Sequence, residues 1–491
     1  MNRRLFLQKV AAPTALLFFG QDAPAQAAPV QPATATKPNI VVMIADDLTY
    51  HDLGSWGNQD VKTPNLDRLA AQGMRLTRCY TPAPVCSPAR QALYTGLFPV
   101  KSGAYPNHAI VKPGIKSLPH YLQPLGYRVG LVGKKHFGPP PSFPFEYPER
   151  AAKGTPVENE DEREDAEAAL DYGAAEKFMN RDKSQPYCLV VAPHEPHNPW
   201  NKGDASVYKP AQLKLAPYLV DTPLTRRALA RYYGEVTYLD QQVGRVMDAV
   251  DRSGQADNTL FLFLSEQGSS LPYGKWTLYE AGIRTATIAR WPTRIKAGTT
   301  NDALCQYVDF LPTFIEMAGG QPAPGLDGRS LLKLLTGDST AGRDFVFAEA
   351  TSRGIIAGPE AYGIRAVADE RWKYILNLNP DATFKNTETN TPLFKSWIKK
   401  GETDAFAREQ AWRYQHRPAV ELYDLQNDPF ELKNLAEQPD QKSNLTRLRA
   451  TLDAWMKDQG DEGVKTELEA REHQGSGLVR PSTAAHTGIN Q

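Results

Sequence analysis

Four short apolar runs, each ending abruptly in charged or polar residues, constrain the fold of this chain more than any other feature of its sequence. A run of this kind, without polar residues at alternate positions, is typical of a strand that is buried on both faces. The four runs and their polar ends are Ile40–Ala45 with Asp46 and Asp47, Val129–Val132 with Gly133–His136, Leu189–Ala192 with Pro193–His197, and Leu260–Leu264 with Ser265–Gly268.

Helical patterns lie between these runs. The sequence Thr63–Ala70 is typical of the beginning of a helix, and Leu229–Val250 has the pattern of a long amphipathic helix. The alternation of strands and helices predicts an α/β fold with a doubly wound, mostly parallel sheet. Such sheets bind ligands beyond the carboxyl ends of their strands, so the four polar ends are expected to meet at one rim.

The chain length and the overall charge bound the function. A chain of 491 residues is long enough for two or three domains. Lys and Arg number 56 and Asp and Glu number 56, so the formal net charge is zero. The densest charge run, residues 158–167, is acidic and indicates a solvated loop or helix face. We therefore expect no nucleic-acid partner.

The first 28 residues have the layout of an export signal. Arg3 and Arg4 precede the apolar stretch Val10–Gly20, and Ala25–Ala27 suits a cleavage site. Paired arginines are typical of a twin-arginine signal, which carries folded proteins across a membrane. The apolar stretch of about eleven residues is too short to span a bilayer, although an uncleaved anchor is the alternative. We expect an exported, periplasmic protein with no membrane span in the mature chain.

Cys86 is the cysteine whose surroundings indicate chemistry. Ser87 is predicted to be the N-cap of a helix, and Pro88 its first residue. The positive end of that helix and the guanidinium of Arg90 would favour a thiolate. The four cysteines match no zinc pattern, and a disulfide scaffold is not expected. Cys86 could be a nucleophile, half of a disulfide, a buried residue, or a residue that the cell converts into another group.

Taken together, the polar strand ends and Cys86 indicate one anion site that contains a metal ion. Adjacent carboxylates such as Asp46 and Asp47, directly after an apolar strand, favour a hard cation because the cation relieves their repulsion. Taken singly, each group has an ordinary alternative as a loop, turn or helix-cap residue. Their convergence carries the prediction.

The stretch Cys86–Arg90, followed by Leu93–Gly96, resembles the signature of the formylglycine-dependent sulfatases. The resemblance covers the chain from Lys37 to about Gly463. A closer similarity is to the heparan N-sulfatases (sulfamidases). The segments that carry the family likeness are Asp46-Asp47, Gly133–His136, His194–Pro196, Val308–Thr313 and Glu421–Leu425, and those that carry the closer one are Gly133–Pro139, the pair His194 and His197, and Asn377–Asn379.

The resemblance implies an answer for Cys86. A formylglycine-generating enzyme would oxidise it to formylglycine (3-oxoalanine), an aldehyde that hydrates to a geminal diol. A sulfated diol keeps a free hydroxyl, whose deprotonation expels sulfate by C–O cleavage and regenerates the aldehyde. A sulfate ester of serine has no such route and must be attacked by water at sulfur. Covalent catalysis thus gains an easy second step.

The resemblance also implies a role for each site residue. Asp46 and Asp47 would bind Ca²⁺ together with modified Cys86, since calcium accepts about six to eight oxygen ligands in flexible geometry. The other implied roles are orientation of the diol by Arg90, charge neutralisation on the sulfuryl oxygens by Lys134 and Lys275, protonation of the leaving group by His194, removal of the diol proton by His136, and substrate binding by His197.

One position departs from the family pattern. The family usually has Asp followed by Asn where this chain has Glu266 and Gln267. Each side chain is longer by one methylene and would reach about 1 Å further. Either a small retreat of the backbone lets both residues bind the metal, or only one of them does.

The function that the resemblance implies is hydrolysis of sulfate from a sulfated saccharide, with N-sulfoglucosamine of heparan or heparin as the first candidate substrate. The alternatives are an O-sulfatase that acts on another glycan and a formylglycine-dependent hydrolase of phosphonates or phosphate diesters. A catalytically silent glycan-binding relative is a further alternative, suggested by Glu266 and Gln267. Turnover of an aryl sulfate against a phosphate diester, with calcium and then manganese, would separate a sulfatase from the phosphonate or phosphate diester hydrolase and from the silent relative.

The resemblance and the strand pattern divide the chain into parts. An alkaline-phosphatase-like catalytic domain is expected over residues 37–357, and a smaller α+β domain over residues 358–471. In the smaller domain, Gly363–Val367 and Trp372–Leu376 are predicted to pair as strands, and Leu445–Met456 is predicted to be an amphipathic helix. Residues 472–491 are expected to form a flexible tail.

Overall fold

The computed structural model describes residues 37–148, 170–355 and 357–474. The predicted export signal and most of the predicted tail lie outside these ranges. Within them, no helix combines the length and the apolar character that crossing a bilayer requires.

The larger of two sheets has eight strands in the spatial order β3-β4-β1-β5-β6-β2-β7, with β8 also paired to β2. Neighbours from β3 to β5 are parallel, whereas β6 is antiparallel to both β5 and β2. The sheet is therefore mostly parallel, as the sequence predicts. Its strands are β1 (Asn39–Ala45), β2 (Met74–Tyr80), β3 (Arg128–Gly133), β4 (Tyr187–Ala192), β5 (Thr259–Ser265), β6 (Arg284–Arg290), β7 (Thr299–Asn301) and β8 (Cys305–Gln306).

Both faces of this sheet are covered, which explains why its central strands lack a polar face. On β1, Val41, Met43 and Ala45 pack into one apolar cluster. The alternate residues of the same strand, Ile40, Val42 and Ile44, pack into another. Burying one such side chain contributes about 1.5–3 kcal/mol. A strand of this kind must be apolar at every position, as the sequence pattern indicates.

Helices pack on both faces of the larger sheet. The predicted helix at Thr63–Ala70 is observed one residue later, and the long predicted helix extends by a few residues at both ends. The helices among the described residues are α1 (Pro64–Gln72), α2 (Cys86–Thr95), α3 (Pro99–Ser102), α4 (Leu118–Leu122), α5 (Tyr172–Asn180), α6 (Pro223–Arg252), α7 (Glu280–Ile283), α8 (Phe310–Met317), α9 (Leu332–Thr336), α10 (Pro392–Lys400), α11 (Ala405–Gln415), α12 (Lys442–Gln459) and α13 (Val464–Glu469).

The second sheet is antiparallel, with the order β12-β11-β10-β9. The predicted pairing of Gly363–Val367 with Trp372–Leu376 is confirmed, since Ile364 faces Asn377 in the register of β10 and β11. Helix α12 contains the predicted terminal helix and packs on this sheet through Leu448, Leu452 and Trp455. Its strands are β9 (Val346–Ala350), β10 (Ile364–Ala368), β11 (Trp372–Asn377) and β12 (Val420–Asp424).

The domain boundary near residue 357 stays a prediction. Strand β9, which precedes residue 357, pairs with β10, which follows it. The antiparallel sheet therefore includes residues from both sides of the predicted boundary.

The register of the parallel strands brings their carboxyl ends to one rim. The chain just past each strand is tied to its neighbour by backbone hydrogen bonds. Asp46 N donates to the carbonyl of Glu195 (3.0 Å), Lys134 N to that of Ala192 (2.7 Å), and Glu266 N to that of Ala45 (2.8 Å). The four polar ends therefore converge, as the strand pattern predicts.

Trp397 offers a test of how α10 packs against α6. Its side chain is completely buried, and its Nε1 donates to Thr225 Oγ1 at 2.8 Å. Trp397→Ala is expected to lower the free energy of unfolding by about 3–5 kcal/mol, because it leaves a large cavity. Trp412, in the adjacent α11, is 63% exposed and is the matched control. Trp412→Ala should change stability by no more than about 0.5 kcal/mol. Equal losses in denaturant titrations would contradict this packing.

Candidate active site

Asp46 and Asp47 form the centre of the site at the end of β1. Both are buried, and Asp47 has a left-handed backbone with φ of 65°. Aspartate is among the few non-glycine residues that adopt this conformation readily. Ligand atoms of Asp46, Asp47, Cys86 and His197 all lie within 4.8 Å of one another. These side chains come from the ends of β1 and β4 and from the start of α2.

Two lysines compensate the charge of the two aspartates. Lys134 Nζ lies 2.6 Å from Asp46 Oδ2, and Lys275 Nζ lies 2.9 Å from Asp47 Oδ2. Burial disfavours the charged form of Asp46, but Lys134, His197 and Arg90 together hold its pKa well below the usual value. Burial likewise opposes the charge of Lys134, yet Asp46, Cys86 and Glu266 together outweigh it and raise the lysine's pKa. Each lysine is therefore a fixed positive charge at the rim.

Cys86 is the first residue of α2, and its N-cap is Val85. The predictions of Ser87 as the N-cap and Pro88 as the first helical residue are therefore wrong. The Ser87 hydroxyl does not cap the helix, because it donates to the carbonyl of Ala109 at 3.1 Å. The helix starts two residues earlier than predicted, at Cys86, whose Sγ lies 3.5 Å from Asp46 Oδ1.

The Cys86 side chain is a thiol in this environment. Burial raises its pKa and the nearby aspartates add to the rise, although Lys134 and Lys275 oppose it. Its Sγ lies 3.5 Å from Asp46 Oδ1. The expectation that the helix terminus and Arg90 favour a thiolate is therefore wrong. Cys86 is poorly suited to act as a thiolate nucleophile.

Arg90 contacts Glu266 rather than Cys86. Its Nε and one terminal nitrogen donate to the two carboxylate oxygens of Glu266 at 2.7 and 3.2 Å. The other nearby acid is Asp46, at 3.9 Å. All of these groups are buried. Glu266 is thus held in a two-pronged ion pair with Arg90 at the edge of the aspartate cluster.

Gln267 occupies a different position from Glu266. Its Nε2 donates to Asp47 Oδ1 at 2.5 Å and lies 3.4 Å from Cys86 Sγ. Its Oε1 is buried and has no hydrogen-bond partner among the described residues. Of the two lengthened residues, Gln267 lies beside the aspartate cluster and carries an acceptor oxygen that lacks a donor.

The three predicted histidines lie at the same rim. His197 Nε2 is 3.5 Å from Asp47 Oδ2. Burial, reinforced by the positive charge of Lys134, lowers the pKa of His194 to about 3, and its buried Nε2 has no hydrogen-bond partner in the described part of the chain. His136 has a left-handed backbone, and its Nε2 lies 2.9 Å from Nδ1 of His108.

Three polar residues at the site were not predicted. Ser270 Oγ donates to Asp47 Oδ2 at 2.9 Å and follows Gln267 closely in sequence, so the polar run after β5 could have indicated it. His108 lies in a loop with no motif. Glu388 is remote in sequence; burial and the charge of Asp47 raise its pKa to about 8, against the effect of Lys275. Only the fold brings the last two to the site.

The residues at this rim fit a hard divalent cation. Asp46 and Asp47 supply carboxylate oxygens, and Gln267 Oε1 is a buried acceptor for which the described part of the chain offers no donor. Oxygen-rich sets with flexible geometry suit calcium, whereas zinc prefers nitrogen and sulfur. Lys134 and Lys275 add cationic groups that suit a bound anion. The fold and the site therefore define a hydrolase of anionic esters built on an α/β sheet.

The chain belongs to the sulfatase family. The family model described as Sulfatase matches residues 38–320, and a model described as N-sulphoglucosamine sulphohydrolase, C-terminal matches residues 268–385. An ulvan-active sulfatase of Formosa agariphila is 34% identical over 87% of this chain and 82% of its own. Human N-sulphoglucosamine sulphohydrolase is 28% identical over 85% and 89%. The chain is accordingly a hydrolase of sulfuric esters or sulfamates.

Solved structures share the fold. One, of a protein in complex with its substrate D-glucosamine-2-N,6-O-disulfate, has a TM-score of 0.67 at 19% identity and covers 87% of this chain and 99% of its own. The phosphonate monoester hydrolase of Agrobacterium radiobacter has a TM-score of 0.66 at 20% identity and covers 86% and 96%. At these identities the likeness extends to the alkaline-phosphatase-like fold and no further.

The ion pair of Arg90 and Glu266 is expected to be a coupled unit. Arg90→Met should lower the free energy of unfolding by about 3–5 kcal/mol, because it leaves a buried carboxylate without its partner. Adding Glu266→Gln should recover part of that loss, and the coupling is measured by a double-mutant cycle in denaturant.

A surface pair provides the control for this cycle. Arg371 is 45% exposed and lies 2.7 Å from Asp424. Arg371→Met should cost less than about 1 kcal/mol. Strict additivity of the Arg90 and Glu266 substitutions would show that Glu266 is held by something other than Arg90.

Proposed function

We propose that this chain is an exported, calcium-dependent sulfatase that acts on sulfated saccharides after oxidation of Cys86 to formylglycine. The observation that carries the proposal is the buried cluster of Asp46, Asp47 and Cys86, flanked by Lys134 and Lys275. The ammonium group of Lys134 lies 2.6 Å from Asp46, and that of Lys275 lies 2.9 Å from Asp47. A cation and an anion can therefore bind next to each other beside residue 86.

Calcium is the metal that we assign to the site. Asp46, Asp47 and the Oε1 oxygen of Gln267 would hold it, and Glu266 would stay with Arg90. This assignment favours the alternative in which only one of the two lengthened residues binds the metal. Bound there, the ion would lower the pKa of a hydroxyl on residue 86 and polarise a sulfate oxygen.

Conversion of Cys86 would supply a hydroxyl nucleophile and a second hydroxyl, a pair that no unmodified side chain offers. The burial of Cys86 and its high thiol pKa support this reading, because an unmodified thiol here is a weak nucleophile. A formylglycine-generating enzyme would be the partner that carries out the oxidation during maturation. The substitution of an aldehyde hydrate for the thiol gives Lys134 and Lys275 an oxygen to bind, while Arg90 stays paired with Glu266.

The lysines would stabilise charge on the sulfuryl group, and the histidines would transfer protons. Lys134 and Lys275 would donate hydrogen bonds to the sulfuryl oxygens and stabilise their charge in the transition state. His194 is neutral in the free protein, since its pKa is about 3. A bound sulfate would offset the positive charge of Lys134 and raise that pKa, so His194 could then give a proton to the leaving oxygen or nitrogen. His136 would accept the proton whose removal releases sulfate.

The substrate class follows from the relatives. Similarity to human N-sulphoglucosamine sulphohydrolase, over most of both chains and again in the C-terminal family model, favours N-sulfoglucosamine. The higher identity to an ulvan-active sulfatase favours an O-sulfated glycan as the second candidate. Glu388, His194 and His197 lie near the cluster and are the residues that we expect to contact the sugar.

Export to the periplasm is supported by the sequence of the first 28 residues. Arg3 and Arg4, the apolar stretch after them and Ala25–Ala27 have the order of a twin-arginine signal. A twin-arginine signal transports a chain that has already folded. Because residue 86 is buried, its modification would have to precede folding and therefore export.

A panel of substrates tests the function. Purified protein with calcium is expected to release sulfate, detected by ion chromatography, from N-sulfoglucosamine or from ulvan oligosaccharides at rates far above those for a phosphonate monoester. The reason is that the relatives over most of the chain are sulfatases, whereas the phosphonate hydrolase shares the fold alone. Removal of calcium by a chelator should abolish release, and calcium should restore it.

Cys86→Ala is the control for this panel, because it keeps the buried volume small and removes the reacting group. It should release no sulfate, and its calcium affinity should fall because residue 86 no longer contributes a ligand. Faster hydrolysis of the phosphonate than of every sulfated saccharide would contradict the proposed function. Activity that survives in Cys86→Ala would contradict the role of residue 86.

A further inference from the structure

His108 and His136 form a pair of imidazoles at the rim of the site. His136 Nε2 and His108 Nδ1 are 2.9 Å apart, and the ring centroids are 4.8 Å apart. Both residues have left-handed backbones, with φ of 61° at His108 and 54° at His136. Two non-glycine residues in this conformation, facing each other, indicate that the surrounding structure holds the pair in place.

The segment that carries His108 is fixed to both the Cys86 helix and the His136 loop. Gln91, on α2 and fully buried, donates through Nε2 to the carbonyl of Ala109 at 2.8 Å. Its Oε1 accepts from Gly138 N at 3.4 Å, and Val111 N donates to the carbonyl of Gly138 at 2.9 Å. Gln91 therefore connects the three segments that carry Cys86, His108 and His136.

The far side of the same segment is also held. Asn107 N donates to the carbonyl of Arg353 at 3.3 Å, and Gln474 Nε2 donates to the carbonyl of Asn107 at 2.8 Å. Ile110 N donates to the carbonyl of His473 at 3.1 Å. His108 is thus positioned between the catalytic rim and the end of the described chain. Its ring has little freedom to move away from His136.

The hydrogen bond between the rings determines what His136 can do. A neutral imidazole has one nitrogen that donates and one that accepts. Because Nε2 of His136 is bonded to His108, Nδ1 is the ring nitrogen that would accept the proton from residue 86 in the proposed function. For Nδ1 to accept a proton, Nε2 must carry the other hydrogen. His108 Nδ1 must then be the acceptor, with the hydrogen of His108 on its Nε2.

We propose that His108 is a positioning residue that keeps His136 in the Nε2–H tautomer and stabilises it when it becomes protonated. This inference rests on the proposed function, in which His136 accepts a proton. The His108 ring takes the place that a carboxylate holds behind the histidine of a hydrolytic triad. The opposite arrangement, with His108 Nδ1 donating, would leave the hydrogen of His136 on Nδ1 and would prevent it from acting as a base.

Three variants separate the hydrogen bond from the backbone strain. His108→Gly removes the ring and suits a φ of 61°. His108→Asn keeps an acceptor oxygen near the position of Nδ1 and also tolerates this backbone. His416→Asn, at a half-buried histidine just past the end of α11 that stacks on Trp412, is the control.

The expected kinetic result is a loss in kcat without a loss in substrate binding. His108→Gly should lower kcat for sulfate release by about 10- to 100-fold with KM nearly unchanged, as is typical when the partner of a catalytic histidine is removed. His108→Asn should restore kcat to within a few fold, and His416→Asn should match the wild type. A kcat in His108→Gly within twofold of the wild type would overturn the proposal. A raised KM with unchanged kcat would also overturn it, because His108 would then be a substrate-binding residue.

Nitrogen NMR of the imidazoles tests the tautomer directly in the full-length wild-type chain. With ¹⁵N-labelled histidine, Nε2 of His136 should be protonated and Nδ1 of His108 unprotonated. The His108→Gly variant should show a mixture of His136 tautomers. A wild-type spectrum with the hydrogen on His108 Nδ1 would contradict the inference. The NMR measurement needs neither substrate nor a modified Cys86. Its result therefore tests the tautomer even if the sulfatase proposal fails.

Discussion

Two adjacent buried carboxylates, Asp46 and Asp47, are the constraint on which the rest of the site depends. Two like charges side by side in a protein interior are unfavourable unless each has a partner. Lys134 and Lys275 provide these partners in the structure, and they come from the ends of two other segments. The register of the parallel strands is therefore coupled to the electrostatics of the rim. A cation at the aspartates would leave both ammonium groups available to an anion.

Much of the fold could be predicted from the sequence, because strands buried on both faces have a distinctive apolar pattern. The runs at Ile40–Ala45 and Leu260–Leu264 correspond closely to β1 and β5, and their polar ends meet as predicted. Strand β2 was not predicted, because Arg75, Thr77 and Arg78 are partly exposed and interrupt its apolar pattern. The sequence of β9 likewise has no apolar pattern that distinguishes a strand from a loop.

The details of the site were harder to predict than its location. The predicted start of α2 is two residues too late, because Ser87 uses its hydroxyl for a bond to Ala109 that sequence spacing does not reveal. The thiol state of Cys86 depends on burial, which a helix-terminus argument ignores. His108 and Glu388 lie in segments without a motif, so only tertiary contacts identify them. The paired lengthening at Glu266 and Gln267 is explained by a division of contacts, with Glu266 bound to Arg90 and Gln267 next to Asp47.

The aspartate cluster is proposed to act together with a formylglycine at position 86. The mass of the peptide that contains residue 86 shows whether this modification is present. The protein is produced with its natural maturation machinery, digested, and analysed by mass spectrometry with and without a hydrazide reagent. We expect the mass of this peptide to show that the thiol is lost, and we expect the peptide to carry an aldehyde that reacts with the hydrazide. Fully active protein in which Cys86 remains an unmodified thiol would contradict the account.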